Sequence, residues 1–200
     1  MSQFPRSEVE DAFAHFYNLG CVVEDWSGWA ELFTDDALYV EHFWGEMHGP
    51  AEILAWINPV MAGVPEIYTV LDWYAIDGDK VVWSMQNRRD NPDPVGEPSY
   101  FDFPGLSVAR YAGDGRWSYE EDYWDLRGAR ATALAYAEVC GRVQPDLETK
   151  MSRRFWPDGP PWARLDGPAK PAWLGRDEVT PITKPAELRA LLAPIRAGRG

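Results

Sequence analysis

The sequence predicts an α+β fold: N-terminal helices packed on a curved, mostly antiparallel sheet, together a cone-like α+β barrel with a Pro-rich C-terminal tail. Three observations predict it. Apolar residues recur at helical spacing near the N-terminus. After "PAEILAWINPVMAG" the pattern is strands only, joined in pairs by Gly/Asp turns. Nine of the seventeen prolines lie in residues 145–200, too dense for a regular core. Helices followed by an antiparallel meander place the helices on one face of one sheet.

The elements follow in order. "SEVEDAFAHFYNLGCVVE" opens at Ser7 with Glu10 three residues on, a capping-box pattern, and Val9, Ala12, Phe13, Phe16 and Tyr17 share a helix face. "DWSGWAELFTDD" reads as a second short helix ending at Asp35-Asp36. "LYVEHFWGEMHG" follows as a strand. Gly49-Pro50 starts a third helix. "EIYTVLDWYAI" and "KVVWSMQNRR" are joined by the turn Asp77-Gly78-Asp79, and "FDFPGLSVARYA" and "RWSYEEDYWDL" by Gly113-Asp114-Gly115. The expected division is a body over 1–144 and a tail over 145–200. Trp156, Trp162 and Trp173 are candidate anchors for the tail, and a short amphipathic helix lies in "KPAELRALLAPI".

Composition narrows the function. The chain of 200 residues carries a net charge of −13. Residues 1–144 hold 25 acidic and 9 basic side chains, net −16, and residues 145–200 hold 7 and 10, net +3. An acidic body argues against nucleic acid and anionic membranes. No apolar run approaches the length of a membrane span, and the N-terminus has no signal-peptide pattern. Two cysteines without a CxxC or Cys/His cluster call for neither a disulfide framework nor a metal site, and point to the cytoplasm. No motif calls for a cofactor.

The segments "ELFTDDALYVE", the Gly49-led helix, "SVARYAGDGR" and "EEDYWDL" resemble the nuclear transport factor 2-like superfamily, which includes SnoaL-like polyketide cyclases, ketosteroid isomerases and limonene epoxide hydrolases. The resemblance spans roughly residues 8 to 130. It implies an enzyme of isomerase or lyase type, with a small hydrophobic, polycyclic or terpenoid-like partner and a homodimer formed through the sheet. The isomerase's oxyanion tyrosine falls on Tyr17, its base on Glu41 and its second oxyanion donor on Ser107. The hydrolase's water-positioning pair falls on Tyr39 and Glu41, and its catalytic aspartate on Asp122. The hydrolase's Arg-x-Asp pair falls on Met85 and Asn87, which departs from that pattern. A non-catalytic ligand binder or assembly subunit is the competing class.

Adjacent titratable residues in a half-buried strand pose the central question. Side chains alternate along a strand. Either Leu38, Val40, His42 and Trp44 face inward, or Tyr39, Glu41 and Phe43 do. Apolarity favours the first set and the resemblance the second, so Glu41 and His42 both stand as candidate bases. A desolvated carboxylate becomes a stronger base, suited to abstracting a proton next to a carbonyl. Tyr17 would then serve the enolate oxygen, Asp122 would share protons with Glu41, and Asn87 would orient water or a carbonyl. Trp26, Trp44 and Trp83 are candidate walls for a flat ligand. The bland readings are a core role for Tyr17, a solvent-facing place for Glu41, a structural or edge role for His42, and a solvated face for the acidic run around Asp122. On the last strand, only one of Ser118/Glu120/Asp122/Trp124 and Trp117/Tyr119/Glu121/Tyr123 can face inward.

Overall fold

The computed structural model describes residues 3–95 and 97–198. Helix α1, Arg6–Tyr17, buries Val9, Phe13, Phe16 and Tyr17 on one face. It starts earlier than the capping-box pattern implies. Pro5 is the N-cap, no side chain caps the helix, and Ser7 lies inside the first turn. The fixed proline φ replaces the expected serine as the start signal. The chain continues through a π-helical turn, Asn18–Val22. Gly20 in that turn lies against Trp29, and a Cβ there would stand 2.7 Å from the indole. Helix α2 spans Trp26–Glu31, with the Asp25 side chain accepting from the Gly28 N–H at 3.1 Å.

Strand β1 runs Phe33–Glu41, so the second helix ends at Glu31 and not at Asp36. Tertiary pairing decides this. The Trp117 N–H donates to the Leu32 carbonyl at 2.8 Å, and Phe33 pairs with Trp117. The sheet claims the backbone where local pattern favours helix. A hairpin leads to β2, Gly45–His48, then α3, Gly49–Gly63. Strands β3 (Tyr68–Asp77), β4 (Lys80–Asp90), β5 (Tyr100–Gly113) and β6 (Arg116–Trp124) form the meander. Gly78 takes φ +67° in the β3–β4 turn, a conformation glycine adopts without strain. Helix α4, Leu126–Val143, follows β6. It buries only Ala129 and Tyr136 fully, too thin an apolar stripe for the sequence pattern to flag.

The sheet order is β2-β1-β6-β5-β4-β3. All neighbours are antiparallel except β1 and β6, which are parallel. The expected α+β arrangement, helices on a curved and mostly antiparallel sheet, is found; the sheet stays unclosed, with β2 and β3 at its edges, among the described residues. Helices take the place of closing strands: α1 packs on β3, and α3 on β1 and β2.

The remaining chain holds two short helical turns, Leu147–Lys150 (α5) and Pro161–Ala163, and then α6, Pro185–Ala197. Trp162 packs edge-on against Phe13 and Tyr17, with ring centroids 5.9 and 6.1 Å apart. Trp156 packs on Tyr68 at 5.1 Å, and Trp173 is buried. Arg153 and Glu24 form an ion pair at 3.0 Å with side chains 1% and 2% exposed. Among the described residues, no helix is long and apolar enough to cross a membrane.

Candidate active site

A cavity of about 280 Å³ opens between the helices and the concave side of the sheet. Trp26 and Trp29 of α2, Trp56 of α3, Trp83 of β4, Phe103 of β5 and Trp124 of β6 wall it. Strand alternation feeds polar groups into these walls. Register pairs Glu41 with Asp122 and Asp122 with Ser107 on one rung, and Tyr39 with Glu120 on the next. All five residues line the cavity. The alternation on β1 therefore resolves in favour of Tyr39 and Glu41 inward.

Asp122 accepts hydrogen bonds from the Tyr39 hydroxyl and the Ser107 hydroxyl, one on each carboxylate oxygen. Burial pushes its pKa up to about 6. The two hydroxyl bonds oppose this rise, and the negative charge of Glu41 adds to it. Glu41 is 3% exposed. It accepts from the backbone N–H groups of Phe43 at 2.9 Å and Trp44 at 2.5 Å, and from the Trp124 indole. The chain turns sharply after β1, and the Glu41 carboxylate satisfies the amides freed by that turn. Burial raises its pKa, and these three bonds hold it back.

Glu120 is 3% exposed, pairs in register with Tyr39, and has an Oε2 atom without a protein partner. Burial, and then the charge of Asp122, push its pKa well up. Cys21, carried inward by the π-helical turn, also lines the cavity. Burial, followed by the nearby carboxylates, raises its thiol pKa. Among the described residues, Arg89 is the basic residue of the lining, and it is engaged by Glu66 at 3.2 Å and by Thr132. The carboxyl groups thus lie together without a free counter-cation in the lining, among the described residues. Among the described residues, no group of three or more His, Cys, Asp or Glu is placed to hold a metal ion.

The structure brings together Tyr39, Glu41, Ser107 and Asp122, and places Asn87, Trp26, Trp44 and Trp83 in the cavity wall. Two expectations are corrected. Tyr17 does not reach the cavity. It is fully buried between α1 and β3, and its hydroxyl donates to the Thr69 carbonyl at 3.4 Å. His42 follows Glu41 in the chain and so points outward. Its side chain is 54% exposed, bonds Glu121 at 2.9 Å and stacks on Tyr123. Glu120 and Cys21 were not singled out by the sequence. Alternation from Asp122 carries the signal for Glu120, whereas nothing local marks a π-helical turn at Cys21.

The helices and the curved open sheet thus enclose an aromatic cavity that carries carboxylates. The SnoaL-like domain matches residues 12–120, more than half of the sequence, and the chain belongs to that family. A candidate SnoaL-like polyketide cyclase from Shewanella putrefaciens CN-32 superposes with a TM-score of 0.54 at 12% identity, covering 66% of this chain and 88% of that one. An LEH-like epoxide hydrolase of M. tuberculosis superposes with a TM-score of 0.52 at 19% identity, covering 70% and 98%. At such identities the likeness shows the fold alone. No curated protein matches the sequence significantly.

Proposed function

We propose that the protein is a general acid/base enzyme of isomerase, dehydratase or cyclase type, acting on a hydrophobic polycyclic or terpenoid-like molecule in the aromatic cavity. One observation carries this reading: the Asp122 carboxylate is fixed by two hydroxyls, beside Glu41, inside aromatic walls. A carboxylate titrating at about 6 is ionised at neutral pH, yet basic enough to take a proton from a carbon acid. In this mechanism Asp122 removes a proton next to a substrate carbonyl. The Asn87 amide donates to the oxygen on which the negative charge develops. Asp122 then returns the proton to a different carbon, or to a leaving hydroxyl. Glu41 is bound by three N–H donors and sets the field around Asp122 from the adjacent strand.

The test is exchange of enolisable protons. Wild type and Asp122→Asn are incubated in D2O with a panel of polycyclic ketones, and deuterium uptake is read by mass spectrometry. The reading requires uptake with wild type and a drop on the order of 10²–10⁴-fold in the variant. Equal uptake by both proteins would refute it. Water addition to an epoxide is a second reading, favoured by the Tyr39–Asp122 hydrogen bond. Met85 at the arginine position of that resemblance leaves it without a charged partner for the aspartate.

A further inference from the structure

Glu120 is a buried carboxyl that the mechanism above does not use. It lies two residues from Asp122 on the same strand, and Tyr39 links them: Tyr39 pairs with Glu120 in register and donates to Asp122. The residue is 3% exposed, and its Oε2 atom meets no donor. An ionised carboxylate there would be a buried charge without a cation, next to a second carboxylate. Arg89, the one basic lining residue among the described residues, is already committed to Glu66. A carboxylic acid removes that cost. Its hydroxyl supplies a donor, and its carbonyl oxygen tolerates the empty side far better than a charged oxygen would.

From this geometry we infer that Glu120 is a positioning residue, a neutral carboxylic acid that donates to the Tyr39 phenol oxygen and so commits the phenol's own proton to Asp122. The hydrogen bonds then run in one direction, from Glu120 to Tyr39 to Asp122, with Ser107 donating from the other side. Hydrogen bonds in such a chain polarise one another. The chain holds Asp122 in a single orientation and makes Tyr39 a stronger donor to it. The groups facing Glu120 are consistent with this arrangement: Tyr39 on β1, Asp122 on its own strand, and Cys21 on the π-helical turn carry no positive charge. The inference deepens the acid/base reading and rests on it for its function, but the state of Glu120 is testable without any substrate.

The sign of one shift decides. The Asp122 carboxyl is titrated by ¹³C NMR in wild type, Glu120→Gln and Glu120→Leu. If Glu120 is a neutral donor, the amide of Glu120→Gln replaces it and the Asp122 midpoint stays within about 0.3 of wild type. Glu120→Leu, which loses the donor, raises the midpoint by roughly half a unit or more. If Glu120 is an anion, both variants remove a like charge and lower the midpoint, which would overturn the inference. Infrared spectroscopy provides a second readout. Wild type at pH 7 should show a protonated carboxyl band that Glu120→Gln removes, and a wild-type spectrum lacking that band contradicts the proposal. Should Glu120→Leu fail to fold, the glutamine variant and the infrared band still decide. Loss of turnover in Asp122→Asn with a lowered midpoint in Glu120→Gln would reject this inference and leave the acid/base reading standing.

Discussion

The phenol of Tyr39 on β1 donates its proton to the carboxylate of Asp122 on β6, across the only parallel strand pair of the described sheet. This bond favours the ionised form of Asp122. In Tyr39→Phe the Asp122 pKa therefore rises above its value of about 6. The acidic limb of the pH–rate profile should move up by roughly half to one unit. Activity lost at pH 6 should then be partly regained at pH 8. An unchanged limb would mean the bond does not bear on the ionised state.

Asp122 should also weaken the fold at neutral pH. Its pKa is raised in the native state from an ordinary value of 3.8 to about 6. The native state therefore binds the proton more tightly than the unfolded chain. The associated stability is fully present below about 4 and is lost as pH rises through about 6. Asp122→Asn should be more stable than wild type by about 1–3 kcal/mol at pH 8 and no more stable at pH 4. Urea melts at the two pH values check this, and a variant equally shifted at both would contradict it.

The Glu24–Arg153 pair joins the loop before α2 to the segment after α5. Both side chains are almost entirely buried. Arg153→Met leaves Glu24 without its partner and should cost about 3–5 kcal/mol. Adding Glu24→Gln should restore part of that loss. Denaturant midpoints of the single and double variants make the comparison, and a single-variant loss under about 1 kcal/mol would show that the pair does not hold the segment.

His42 supplies the negative control. It lies on the outer side of the sheet with Glu121 and Tyr123. His42→Ala should leave turnover unchanged and stability within about 0.5 kcal/mol of wild type. A large loss of turnover would reopen the choice between His42 and Glu41.

Much of the fold was legible because it rests on local signals. The Gly78 and Gly113–Gly115 turns fix two hairpins, and the apolar face of α1 and the Gly49-Pro50 start of α3 need only short-range pattern. What was hidden depends on distant partners. Pairing of Phe33 with Trp117 converts expected helix into strand, and α4 buries too few apolar side chains to announce itself. The site divides the same way. Alternation on β1 limited the choice to two sets, but it could not say which set the cavity would take. Tyr17 fell on the right helix and the wrong side of it, because α1 turns that residue toward β3 and Trp162. Glu120 stayed unread because the acidic run around it resembles a solvated face until the register to Tyr39 is known.

The most direct test of this account is the titration of Asp122 in the intact wild-type protein, followed through its side-chain carboxyl carbon. A carboxylate enclosed by indoles and held by two hydroxyls should show a midpoint near 6. A midpoint at or below 4, the range of a solvated aspartate, would mean that the cavity does not desolvate it and that Asp122 is not the proton-transferring group.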